Sequence, residues 1–204
     1  ARAAEPAGDA KGVAPVVTAV VSAADVTARV AQLGAEISAD YQGKTPVVVA
    51  VLNAALLFVA DLVRALEVPH EVEFLAVTRV GEGGRVRINM DTSVSLQGRD
   101  VLLVEDLVDT GLTLSFLREL FETRQVASLR TVTLLDKAPR RIVEVPLEYR
   151  GFEVGEEFLL GYGLDHAGRY RNLPSLWAVL DFAAFTADPE VLHRTIATGD
   201  RVSS

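Results

Sequence analysis

Apolar residues along the chain alternate between short unbroken runs and longer stretches with helical spacing, a pattern that predicts an α/β protein. Residues 46–52 (PVVVAVL) and 101–104 (VLLV) are apolar throughout, as expected of strands covered on both faces of a parallel sheet. Residues 72–77 and 129–135 read as further strands, and 148–158, with Gly151 and Gly155, as a short strand and turn. Between them lie helical patterns. Residues 22–41 place Val26, Val30, Leu33 and Ile37 on one stripe, with Ser22 or Asp25 as the cap and Gly43 ending the helix. A second helix is predicted over 56–66. A third starts near Leu114, with Leu114, Leu117, Leu120 and Phe121 on one face and Arg118, Glu119 and Glu122 on the other. A last helix is expected over 188–196, capped by Asp188 with Pro189 in its first turn and carrying a surface His193. Residues 78–87 (TRVGEGGRVR) contain three glycines and no periodicity, and read as a mobile loop or, more simply, a hairpin turn. The Ala-rich residues 1–11 read as a disordered lead-in.

Chemistry concentrates where the run 101–104 ends. Glu105, Asp106 and, three residues on, Asp109 lead into Thr110, Gly111, Leu112 and Thr113, and a helix follows. Backbone NH groups and two hydroxyls at a helix start favour an anion, and a monophosphate fits. Carboxylates facing that anion would repel it, so they should meet sugar hydroxyls, a Mg²⁺ ion or a developing cation. Glu105 and Asp106 are suited to a vicinal diol, and Asp109 to proton exchange. The plainer alternative is an N-capping aspartate with two solvated acids beside it.

Composition narrows the field. The 204 residues suffice for one sizeable domain, and half of them are hydrophobic. No apolar run approaches the ~20 residues that cross a bilayer, and the apolar stretch 16–21 is short and lacks a basic leader, so neither a membrane span nor a signal peptide is expected. There is no cysteine, which removes disulfides, thiolate nucleophiles and zinc–thiolate sites and fits a cytoplasmic protein. A net charge of −8 argues against a general nucleic-acid partner.

The string VLLVEDLVDTGLT resembles the phosphoribosyl-diphosphate-binding motif of type I phosphoribosyltransferases. Together with the downstream LLDK and EEFLLGYGLDHAGRYRNLP it is similar to the hypoxanthine-guanine branch, over residues 24–181. The resemblance implies a single domain: a mainly parallel sheet flanked by helices at about 46–140, and a small hood lobe from about 13–25 and 141–182. It implies transfer of ribose 5-phosphate from 5-phosphoribosyl 1-diphosphate to N9 of a 6-oxopurine, in purine salvage, with Mg²⁺ and a homodimer or homotetramer. Asp109 is then the group exchanging a proton at purine N7. Glu105, Asp106, Thr110, Gly111, Leu112 and Thr113 bind the phosphoribosyl group, and Arg171 binds the pyrophosphate. Lys137 reads the 6-oxo group, Phe158 stacks on the purine, and the Leu159 backbone meets its pyrimidine edge. Asp165, with Glu105 and Asp106, is implied as a metal ligand.

Two places depart from the pattern. Asn53 and Ala54 stand in the pyrophosphate-binding turn, where Leu-Lys-Gly-Gly with a peptide bond that can be cis is usual. Thr78 and Arg79 stand where the flexible lid usually starts with Ser-Tyr, and there Arg79, Arg85 and Arg87 would carry positive charge towards pyrophosphate. These departures keep open an unusual purine-like acceptor. A regulator of the same fold that binds RNA is a further alternative, one the net charge disfavours.

Overall fold

A computed structural model of the chain describes residues 15–80 and 85–198. The lead-in expected over residues 1–11 lies outside the described residues.

Two sheets organise the molecule. The larger has the strand order β4-β3-β2-β5-β6-β7, built from β2 (Val47–Leu52), β3 (Glu71–Val80), β4 (Arg85–Met90), β5 (Asp100–Val108), β6 (Ser128–Asp136) and β7 (Tyr149–Glu153). Its pairings are parallel except β3 with β4. The smaller is antiparallel, in the order β1-β9-β8, from β1 (Val17–Val21), β8 (Phe158–Leu160) and β9 (Leu176–Val179). The chain thus has the α/β architecture expected.

The unbroken apolar runs become central strands because side chains alternate and both faces are covered. Val48, Ala50, Leu102 and Val104 pack under α1 (Ala23–Asp40) and α2 (Leu56–Ala65), among Val26, Val30, Leu33, Ile37, Phe58 and Leu62. Val47, Val49, Val51, Val101 and Leu103 face the other way, onto Leu114, Leu117 and Phe121 of α3 (Leu112–Thr123). Ser22 caps α1, accepting from the Asp25 amide at 3.1 Å and donating to its carboxylate at 2.6 Å, a contribution of about 1 kcal/mol.

A third cluster, containing Val17, Leu160, Tyr170, Trp177, Phe185 and Leu192, joins the small sheet to α4 (Phe182–Ala187) and α5 (Val191–Thr198).

Several elements differ from the sequence expectation. Thr78–Arg79 and Arg85–Arg87 lie in the paired strands β3 and β4, not in an irregular loop, because cross-strand pairing extends the ladder to Val80 and Arg85. The tip between them is outside the described residues. The strand at 149–153 pairs with β6 and so adds to the large sheet, although its sequence neighbourhood suggested the hood. The helix expected over 188–196 is α5, which starts at Val191, and it is preceded by a helix α4 that the sequence reading did not include, closed by Asp188 at its C-terminus. β5 also continues four residues past Val104, carrying Glu105 and Asp106 inside the strand.

Candidate active site

Strand order locates the crevice. From β2 the chain moves outward to β3 and β4 at one edge, whereas from β5 it moves outward to β6 and β7 at the other. The reversal falls between β2 and β5, where helices on opposite faces diverge and leave a cleft beyond the strand carboxyl ends. Two turns rim it: 53–55, after β2, and 109–111, after β5.

The second turn is shaped for a small anion. Gly111 caps α3 with φ +85°, a conformation costly for any other residue, and a Cβ there would run into the Val143 carbonyl oxygen. Gly111, as the N-cap, offers no side chain to the helix start, where backbone amides and the positive end of the helix dipole favour an anion. Leu112 is exposed at that start and Thr113 half-buried. A cavity of about 60 Å³ is lined by Glu105, Leu107, Val108, Asp109, Gly111, Thr113 and Leu114. Beside it the Thr110 hydroxyl is buried without a hydrogen-bond partner, alone in this among the described residues. An unmet buried hydroxyl costs about 1–3 kcal/mol, a cost that a bound phosphate oxygen would remove.

The carboxylates have different surroundings. Glu105 is buried in β5. Burial raises the Asp106 carboxyl from its usual value to about 6, an effect opposed by its own and the Leu107 amide and by the Arg171 guanidinium. Asp109 is half-exposed and is held by Arg140, whose Nε donates to Oδ1 at 2.6 Å. Arg141 donates to the Asp109 carbonyl at 3.1 Å while pairing with the buried Asp136, which also pairs with Arg150 at 2.9 Å. The backbone amides of Ile142 and Val143 both donate to the Thr110 carbonyl, at 2.9 and 3.1 Å. The segment following β6 is therefore strapped onto the loop following β5. No sequence periodicity announces that strap, although the basic pair Arg140-Arg141 so soon after Lys137 was a visible signal.

Lys137 follows β6 directly, buried, and its ammonium donates to the Glu157 carbonyl at 2.6 Å. Burial pulls its pKa below the ordinary lysine value, with the charge on Asp109 opposing. The anchored segment leads into β8, where Phe158 is exposed and Leu159 buried. The Phe158 ring stands edge-on to Phe182 at 5.1 Å and to His166 at 6.0 Å.

The small sheet meets the first turn through its own glycine. Gly163 has φ +101° and lies so close to Ala54 that a Cβ would strike the Ala54 carbonyl oxygen. The neighbouring Tyr162, buried at φ +45°, donates to Asp61 of α2 at 2.6 Å. Its position between two glycines was the only hint in the sequence. In the first turn Asn53 is exposed and the Leu52–Asn53 peptide is cis. Arg171 donates to the Gly163 carbonyl at 2.5 Å and pairs with Asp165 at 2.8 Å, and the other Asp165 oxygen accepts from the Gly168 amide at 2.7 Å. Asn53, Ala54, Asp106, Asp165 and Arg171 thus gather about one cleft.

Thr78 lies in β3, where its hydroxyl and the Asn89 amide exchange hydrogen bonds at 3.1 and 3.3 Å. Arg79 pairs with Val86 across the ladder.

Among the described residues no group of three or more His, Cys, Asp or Glu side chains converges on a metal position. With both Asp165 oxygens already accepting, this donor set suits a hard cation that draws most of its ligands from substrate and water, as Mg²⁺ does. It does not suit a metal caged by protein alone.

A family model described as the phosphoribosyl transferase domain matches residues 17–167, which defines the class as a phosphoribosyltransferase. The hypoxanthine phosphoribosyltransferase of Haemophilus influenzae is 46% identical over 77% of this chain and 92% of its own length. The hypoxanthine-guanine phosphoribosyltransferase of Bacillus subtilis is 43% identical over 76% and 88%. A crystal structure of a hypoxanthine-guanine phosphoribosyltransferase from Bacillus anthracis superposes with a TM-score of 0.77 at 37% identity, covering 79% of this chain and 98% of that one. The chain belongs to the hypoxanthine-guanine phosphoribosyltransferase family. Among the described residues no helix is long and apolar enough to cross a membrane.

Proposed function

We propose that the protein transfers ribose 5-phosphate from 5-phosphoribosyl 1-diphosphate to N9 of hypoxanthine or guanine, forming the nucleoside monophosphate and releasing pyrophosphate. The observation that carries this reading is the Thr110 hydroxyl, buried without a protein partner just before the start of α3. It is a buried hydroxyl without a protein partner, next to a small cavity of about 60 Å³ at the switch point of the sheet, in a chain of this family.

In the reaction the bond from ribose C1 to the diphosphate breaks, N9 bonds to C1, and the proton on N7 passes to Asp109. The helix start, with Thr110, Gly111, Leu112 and Thr113, holds the 5-phosphate. Asp106 and Glu105 accept from the ribose hydroxyls and place negative charge beside a carbon that becomes cation-like as the diphosphate leaves. Arg171 and the backbone of Asn53 and Ala54 receive the diphosphate. Arg140 aims the Asp109 carboxylate, and proton exchange there contributes on the order of 10²- to 10⁴-fold. Phe158 stacks on the purine, the Leu159 backbone meets its pyrimidine edge, and Lys137 donates to O6. Asp165 on one side, or Asp106 and Glu105 on the other, are the carboxylates that would reach a Mg²⁺ ion drawing most of its ligands from substrate and water, which when bound neutralises charge on the leaving group. Thr78 and Arg79, on the hairpin at the sheet edge, belong to the cover that excludes water during transfer.

The test is a comparison of initial rates with hypoxanthine, guanine, xanthine and adenine at saturating donor and Mg²⁺. Hypoxanthine or guanine should be converted efficiently. Adenine should be poor, because its amino group would face the Lys137 donor and leave one hydrogen bond unmade, at a cost of about 1–3 kcal/mol. Equal kcat/KM for adenine and hypoxanthine, or no nucleotide from either oxopurine, would overturn the reading.

A further inference from the structure

Helices α4 and α5 lie apart from the large sheet, and much of their packing falls on one loop. Residues 165–171 begin at Asp165 and end at Arg171, whose side chains pair with each other. Between them the backbone takes positive φ at Ala167 (51°), Gly168 (79°) and Tyr170 (76°). That region is unfavourable for alanine and tyrosine, so surrounding structure has to hold it.

The C-terminal helices supply the hold. The buried Tyr170 ring meets Phe185 at 6.0 Å and His193 at 5.2 Å, and its hydroxyl donates to the Pro189 carbonyl at 2.8 Å. Arg169 pairs with Glu190. Phe185 and Leu192 are wholly buried in the same cluster. A second contact leads from α4 to the purine end of the cleft: Phe182 stands 5.1 Å from Phe158, and His166 lies 5.8 Å from Phe182 and 5.3 Å from Phe185. One pair of helices therefore touches both the loop bearing Asp165 and Arg171 and the ring at Phe158.

We propose that α4–α5 is a positioning element of the active site. Tyr170 acts through Arg171 and Asp165 on the diphosphate of the donor, and Phe182 acts through Phe158 on the purine. The proposal rests on the transfer reaction described above. A purely structural role would lower thermal stability and degrade every kinetic constant together. A positioning role divides the effects by substrate, because the two contacts lead to different ends of the cleft.

The experiment compares the full-length wild type with Tyr170→Phe, Phe182→Ala and Phe182→Tyr. Tyr170→Phe keeps the ring and removes one hydrogen bond. It should raise KM for 5-phosphoribosyl 1-diphosphate about three- to tenfold and leave KM for hypoxanthine unchanged. Phe182→Ala removes an edge-on aromatic contact and should raise KM for hypoxanthine about two- to tenfold, with the donor KM unchanged and Phe182→Tyr restoring the wild-type value. Independently of activity, trypsin should cleave after Arg169 or Arg171 faster in Tyr170→Phe than in wild type when no ligand is present. Variants in which both KM values rise together, or neither does, overturn the proposal. So does unchanged cleavage in Tyr170→Phe. A wild type that forms no nucleotide overturns the assigned reaction instead, and the cleavage rates then still decide whether the C-terminal helices hold the loop.

Discussion

Replacing Thr110 by valine separates a ligand-binding hydroxyl from a structural one, because the two predict changes of opposite sign. The hydroxyl oxygen is buried with no protein partner, and the valine methyl has nearly the same shape with no polar group to desolvate. Removing an unmet buried polar group recovers about 1–3 kcal/mol. Taking the lower figure, a chain of this size should gain roughly 2–4 °C in Tm. With donor bound, the same oxygen would face a phosphate dianion. A hydrogen bond to a charged partner contributes about 1.5–3 kcal/mol, so the variant should bind the donor roughly 10- to 150-fold more weakly. Differential scanning calorimetry with and without 5-phosphoribosyl 1-diphosphate reads both effects. The ligand-free transition should rise, and the ligand-induced increment should shrink as the logarithm of the lost affinity. Backbone structure should be spared, since the Thr110 carbonyl that receives Ile142 and Val143 is untouched. A valine variant that is less stable than wild type without ligand, or that binds the donor equally well, would refute the reasoning.

Two further outcomes follow from the carboxylates. Asp109→Asn should lower kcat by about 10²- to 10⁴-fold while donor binding, measured by titration calorimetry, stays close to wild type, because the phosphate loop is intact; near-normal turnover would remove Asp109 from the chemistry. Asp106, raised to about 6 by burial, accepts the ribose hydroxyls only when ionised, so kcat/KM for the donor should climb as pH rises through about 6 and then level. Its raised pKa means the folded state favours the protonated form, so its contribution to stability is full below the ordinary aspartate value and declines as pH rises through about 6. Asp106→Asn should therefore flatten the acidic limb of the rate profile and raise Tm at pH 7, and a limb unchanged in the variant would assign it to another group.

The chain's local patterns determined a good deal by themselves. Residues 47–52 and 101–104 were legible as central strands because burial on both faces leaves no position free to be polar. The Glu105–Thr113 string was legible as a strand running through a small polar turn into a helix because these pieces are contiguous, so their relative placement needs no distant partner. The stripe at Val26, Val30, Leu33 and Ile37 set the buried face of α1 for the same reason.

What tertiary structure alone decided are the pairings between residues far apart in sequence. Whether 149–153 joined the large sheet or the hood depended on an unpaired edge of β6, which no periodicity reports. That Thr78 and Arg79 lie in a strand depended on the partner at 85–90, since three glycines between them read equally well as a loop. The hold of Arg140 on Asp109, the approach of Gly163 to Ala54 and the hydrogen bond from Tyr162 to Asp61 each join segments brought together by packing of the two sheets. Local propensity and spacing carry information over a few turns of chain, whereas these contacts are selected by the shape that the whole core leaves between its parts.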